Sequence, residues 1–424
     1  DDDPQTNLDN MLRDVETNLS EQEPVSAKAS FKSLVKSLSV GDEREFRVLN
    51  SMASGNNYET ITATLKYQTE FFELYVDNRN ASALTDGDIE GLAKNFADIV
   101  PVENEIFGGP SDVNGDSRFA VLFTQAVNEL GASQGGIVTG FFYAVDLFEA
   151  SKYPSSNEME IYYTFVPDPS GEHGLAISKS FALSNIYPGV LPHEYQHMIN
   201  FNQHYFLNGG VSEEAWLNES LSHLAEDFYT LGADGKLAGY GLENPSRVAS
   251  YLADMPNICF TCGSSLSQRG GAYLFLKYLT EQASLGNLPG VESGGEFLNR
   301  LVDTDLRGVE NIISAAIGEG AELTEFKDLL GLFSLAVYLS NTGLAEDNRF
   351  EFSGISLRGV ANDNRGTVLN GPAIQVIESL PFVESIVGNS ATLIQISSAV
   401  IEENGGIFSF LTSNNSNLGG YLIK

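Results

Sequence analysis

The chain has 424 residues, with 57 Asp plus Glu against 23 Lys plus Arg and a formal net charge of −34. That excess argues against nucleic acid or an anionic membrane surface as a partner, and it suits a protein kept apart by self-repulsion in cation-rich surroundings. The length is enough for one large core or two to three modest ones, and no run of about 18 apolar residues offers a membrane span.

Residues 1–26, DDDPQTNLDNMLRDVETNLSEQEPVS, are polar and acidic and read as an exposed tail or tether, in part helical. Over 41–77 the runs EFRVL, YETITATLKYQ and FFELYVD predict three antiparallel strands. A helix is expected over 86–100 behind the cap Thr85, then a strand at 119–124, a Gly-rich loop, and a strand at 160–166. Within SDVNGDSRF, Asp112, Asn114 and Asp116 alternate as at the start of a calcium loop. The glycine, Gly115, is out of place for an EF-hand, and Phe123 stands where that loop needs a bidentate Glu. A Ca2+ site and a plain Asn-Gly turn therefore both stay open.

From about 176 to 340 helical periodicity dominates, with segments at 213–231, 245–254, 266–283, 295–302, 308–317 and 324–340. After about 345 short β runs return (ATLIQIS, IFSFLTS, GYLIK), broken by Asn and Gly. The expected division is 1–26 tail or tether, 27–175 a β-rich part, 176–344 a helical part, and 345–424 a small C-terminal β domain, an α+β chain throughout. The two cysteines, Cys259 and Cys262, are spaced C-x-x-C. In an exported protein a local disulfide is the favoured reading over free thiols, and no second C-x-x-C completes a zinc site.

The most informative run is LPHEYQHMINF. It holds His193, Glu194 and His197 as H-E-x-x-H in a chain with five histidines. Residues four apart share one face of a helix, so both imidazoles can reach one Zn2+ ion while Glu194 stands beside the open position as a general base. Pro192 places the helix start within a turn of itself. A catalytic zinc wants a third protein ligand, and SEEAWLNESLSHLAEDFYTLG supplies a second helix with Ser212 as its N-cap. Leu217, Leu221, Leu224, Ala225 and Phe228 form its apolar stripe; Glu219, Ser222, His223 and Glu226 lie off it. Glu219 follows His197 by 22 positions, with Asn208, Gly209 and Gly210 to turn the chain. Glu219 is the expected ligand and Glu226 the alternative. His204 and His173 read as surface residues.

HEYQHMINF followed by EEAWLNESLSHLAED closely resembles the hyicolysin family of secreted bacterial neutral zinc metallopeptidases, over roughly residues 30–340. More distantly it is similar to the thermolysin-like gluzincins, with N-E-x-x-S-D on the second ligand helix. The resemblance implies a zincin-type catalytic unit: a mixed or antiparallel N-terminal sheet, an active-site helix and a helical C-lobe. It places the ligand role on Glu219 and the base role on Glu194. Where gluzincins have the aspartate that orients the first histidine, this chain has His223, so His223, Glu226, Asp227 and Asn218 become candidates for holding the ligands in place. It also implies a donor to the oxyanion, for which Tyr240, Arg269 and Tyr273 are candidates, and a substrate-pairing edge strand, for which 156–166 is the candidate.

The expected function is thus an extracellular zinc endopeptidase of gluzincin type acting on proteins or peptides, without a nucleic-acid partner and monomeric. The chain opens on Asp1 without an apolar leader, so secretion after signal removal, or retention at the bacterial surface or envelope through a lipid-modified N-terminal segment, is expected. An aminopeptidase on the same scaffold lacks its amine-binding run, and a surface adhesin keeping only the scaffold has no use for Glu194.

Overall fold

A computed structural model of the chain describes residues 3–23, 38–53, 57–230, 241, 243–317, 325–361, 366–380, 382, 384–403 and 419–420. The chain divides into two compact units, one of residues 1–229 and 298–307, the other of 230–297 and 308–424.

The first unit opens with helix α1 (Pro4–Gln22), where the acidic composition suggests an exposed tail. Asp3 caps it by accepting from the Thr6 amide at 3.0 Å, and Pro4 sits in the first turn where its missing N–H costs nothing. Leu8, Leu12 and Leu19 fall on one stripe and are buried. Composition averages over both faces of such a helix; periodicity separates them.

Strands β1 (Glu43–Leu49), β2 (Tyr58–Gln68) and β3 (Phe72–Asp77) form an antiparallel meander. Beyond β3 the sheet continues in parallel through β4 (Phe119–Phe123) to β6 (Ile161–Thr164), and β5 (Gly140–Phe142) closes it antiparallel to β6. The order is β1-β2-β3-β4-β6-β5. β3, β4 and β6 are buried on both faces, as continuous apolar runs in a parallel arrangement require, whereas β2 alternates.

Helix α2 (Asp86–Phe107) starts in a capping box, with the Thr85 and Asp88 side chains each bonded to the other's backbone amide. It runs past Val100 and through Pro101, because Glu103 and Phe107 continue its buried face; Phe107 stacks on Phe228 with ring centroids 5.7 Å apart. Helix α3 (Gln125–Ser133) is capped by Thr124, and the short α4 (Lys179–Phe181) leads by a π-turn into α5 (Tyr187–Phe201). Helix α6 (Ala215–Ala225) completes the core of this unit.

In the second unit α7 (Asn244–Leu252) lies against α8 (Leu266–Ser284) closely enough that a Cβ on Gly270 would fall 1.9 Å from the Arg247 carbonyl oxygen. Helices α10 (Gly308–Ala316) and α11 (Phe326–Leu339) follow α9 (Gly294–Val302), which enters the first unit at Leu298. Phe333 of α11 packs with Tyr251, Phe260 and Phe275 at centroid separations of 5.3–6.3 Å. Cys259 and Cys262 are joined in a disulfide. After 345 the described residues form two ladders, β7 (Arg358–Val360) with β8 (Val368–Asn370) and β9 (Gln375–Ile377) with β10 (Ile394–Ile396), before α12 (Ser398–Glu403). The runs IFSFLTS and GYLIK lie almost wholly outside the described residues. Among the described residues no helix is long and apolar enough to cross a membrane.

Glu103 stands out in this core. It is fully buried on α2, neither carboxylate oxygen has a hydrogen-bond partner, and burial pushes its pKa well above the ordinary 4.5. A raised folded pKa means that its contribution to stability is complete below the unfolded value and is lost as pH rises through the folded one. Urea denaturation is expected to show wild-type stability falling more steeply from about pH 5 to about pH 8 than that of Glu103→Gln, which cannot ionise.

Candidate metal centre

The first helix of the site begins at Tyr187, ahead of where Pro192 suggests. Tyr187 is buried with its hydroxyl donating to the Phe165 carbonyl at 2.9 Å, which anchors the first turn. Pro192 consequently sits inside α5, where its missing amide removes the bond to the Pro188 carbonyl. His193 and His197 follow one turn apart. Every residue from Leu191 to Phe201 is buried, so this helix has little polar face to read.

The return runs through a π-turn to Asn208, Gly209 and Gly210. Gly209 adopts φ +69°, and its amide and that of Gly210 donate to the Tyr205 and His204 carbonyls at 3.0 and 2.9 Å. Ser212 does not cap α6. That position belongs to Glu214, without a side-chain cap bond, and the Ser212 amide donates instead to Ser20 Oγ of α1 at 3.0 Å. Nor is His204 at the surface. It is fully buried, with Nε2 3.1 Å from the Leu301 carbonyl, and burial lowers its pKa to about 4. His173 is half-buried beside Glu129.

Helices α5 and α6 bring His193, His197 and Glu219 together. The two Nε2 atoms are 3.1 Å apart, and each lies 3.6 Å from one of the two Glu219 oxygens. A tetrahedral ion with ligand bonds of about 2.0–2.1 Å separates its donors by about 3.3 Å, so the spacing fits one cation. Tautomers support the fit. His193 Nδ1 lies 3.0 Å from Glu226 Oε1 and His197 Nδ1 lies 2.9 Å from Asn218 Oδ1. An N–H donated along each of these bonds leaves two Nε2 lone pairs facing each other, an arrangement that wants a positive charge between them.

A second group, His193, His223 and Glu226, also has its donors close together. Glu226 Oε1 is 2.7 Å from His223 Nδ1 and 3.0 Å from His193 Nδ1. Those are hydrogen-bond lengths, shorter than the spacing of two ligands on one ion. This carboxylate accordingly works as an orienting bridge between two imidazoles. Burial alone would lower the pKa of His193, but the Glu219 and Glu226 carboxylates beside it outweigh burial and raise the value to about 10, so that a proton on Nε2 meets the same demand for positive charge that a cation would. Burial and the Arg13 charge push His197 well below its ordinary range.

Glu194 lies among these groups with Oε2 accepting from the Phe142 amide at 2.9 Å, and burial raises its pKa to about 7. Phe142 belongs to β5, and this corrects the expected edge. The strand within 156–166 is β6, enclosed between β4 and β5, so the free edge of the sheet beside the site is β5. An alternating pattern locates a strand, but its neighbours are decided by long-range pairing.

Several contributors come from α1, which composition sets aside. Arg13 Nη1 contacts His197 Nδ1 and lies 3.8 Å from Glu219 Oε1, while Arg13 Nη2 pairs with Glu16 at 2.9 Å. Gln5 reaches the Gly140 carbonyl. The Leu8, Leu12, Leu19 spacing behind Asp3-Pro4 was the signal available for this helix.

Tyr240 is outside the described residues. Arg269 and Tyr273 belong to the second unit, where Arg269 Nε donates to the Ser264 carbonyl at 2.8 Å and Tyr273 is buried. Asp112, Asn114 and Asp116 serve their own loop: Asp112 accepts from the Ser117 amide, Asn114 from that of Asp116 and Asp116 from that of Arg118, at 2.8–3.1 Å.

Over 273 residues the chain is 26% identical to the neutral metalloprotease ShpI of Staphylococcus hyicus, an alignment that takes in 63% of this chain and 58% of that protein. The chain thus spans less than two thirds of that relative's length. No family model matches the chain. The relationship is distant.

A Cβ at Gly140 would fall 2.7 Å from Val190 Cγ1 and 2.9 Å from the Tyr163 carbonyl oxygen. Gly140→Ala is expected to lower stability by about 1–3 kcal/mol through overpacking between β5 and α5, measured by urea denaturation.

Proposed function

We propose that this protein is a zinc-dependent endopeptidase, of hyicolysin type, that works outside the cell. The observation that carries the reading is the convergence of both Nε2 atoms and both Glu219 oxygens on one point, with Glu194 held next to them by the β5 edge. The donor set of two imidazoles and one carboxylate is that of a catalytic zinc rather than a closed structural one. Zinc bound there would polarise a scissile carbonyl and lower the pKa of water.

The chain's own residues supply the rest. Glu226 and Asn218 hold the imidazoles with Nε2 facing inwards. The Phe142 amide fixes one Glu194 oxygen, leaving the other to take the proton of the attacking water and pass it to the departing amine. An extended peptide laid along β5 would present its carbonyl to this group through main-chain hydrogen bonds, which discriminate little between sequences and suit a protease of proteins.

Glu194→Gln is expected to retain zinc at full stoichiometry, by metal analysis of the dialysed protein, while casein hydrolysis falls by about 10²–10⁴-fold. Undiminished hydrolysis would overturn the mechanism. Glu226→Ala, which frees both imidazoles from their bridge, is expected to weaken zinc binding by about 10–100-fold in a chelator competition.

A further inference from the structure

The four groups of the site are nearly buried: His193, Glu194, His197 and Glu219 are 8, 4, 2 and 2% exposed. Part of the cover is α1. At its start, Gln5 Oε1 accepts from the Thr139 amide at 2.8 Å and Gln5 Nε2 donates to the Gly140 carbonyl at 3.0 Å. One side-chain amide thereby offers the donor and acceptor that a peptide backbone would bring to β5. One turn on, buried Asp9 sets a like charge near Glu194. Then Arg13 enters the ligand cluster, Glu16 accepts from Asn218 Nδ2 at 3.2 Å, and the helix end is clasped by Ser212 and by Tyr205, whose hydroxyl donates to the Glu23 carbonyl at 3.0 Å.

Arg13 does more than fill space. A guanidinium can only donate, so its contact with His197 Nδ1 calls for a lone pair there and a proton on Nε2, where a metal would bind. The Asn218 carbonyl calls for the opposite tautomer. Arg13 and the metal thus make incompatible demands on one imidazole.

We propose that α1 is an autoinhibitory segment. It occupies the substrate edge with Gln5, opposes the metal-binding tautomer of His197 with Arg13, and must leave the cleft before a polypeptide substrate can enter. The proposal rests on the metallopeptidase reading for the identity of what is excluded.

The test uses the full chain with a site-specific protease sequence inserted between residues 24 and 37, loaded with zinc and compared before and after cutting and removal of α1. The first readout is the rate of zinc transfer to a coloured chelator, which needs no catalysis; the second is casein hydrolysis. If the closed form holds nine-tenths or more of the population, both rates are expected to rise by about tenfold or more on release. In the uncut chain Arg13→Gln, with an unchanged circular dichroism spectrum, is expected to bind zinc more tightly than wild type. Faster transfer without hydrolysis would uphold α1 as the cover and refute the peptidase reading. Transfer unchanged by release, or an intact chain as active as the released one, would overturn the proposal.

Discussion

Burying charge without water is the constraint on which this structure turns. Two imidazoles and the carboxylates of Glu194, Glu219 and Glu226 lie within one apolar core, and none of them can be held there unless each atom is committed to a partner or a cation. The arrangement meets that demand by pairing Nδ1 of His193 with Glu226 and Nδ1 of His197 with Asn218, which directs the remaining donors to one point. The same burial raises the Glu194 pKa to about 7.

The sheet is subordinate to that cluster. Its strands β3, β4 and β6 are buried on both faces and make a rigid back wall, and the short β5 brings one backbone amide to Glu194. Because β5 is an edge, its outward backbone groups meet partners from other elements: the Phe142 amide donates to Glu194 of α5 and the Gly140 carbonyl accepts from Gln5 of α1.

Much of this was legible in the residues. H-E-x-x-H and the downstream Glu219 follow from helix periodicity, since residues four apart must share a face and a second helix must return antiparallel to meet it. The strands of the meander and most helices of the second unit were equally readable, because each carries its own alternation or stripe. Asn218, His223 and Glu226 could be named as supporters because they share a face or a turn with Glu219, but which histidine each would hold could not.

The sequence by itself determined the local periods, the cap at Thr85, and the types of donor available for a metal. Tertiary structure alone decided that β5 and not β6 forms the edge, that His204 is buried, that Pro192 lies within its helix, and that an acidic N-terminal stretch reaches His197 with Arg13. Periodicity is a property of neighbours in the chain. Edges, burial and the meeting of residues 184 positions apart depend on pairings between distant segments, which no local pattern encodes.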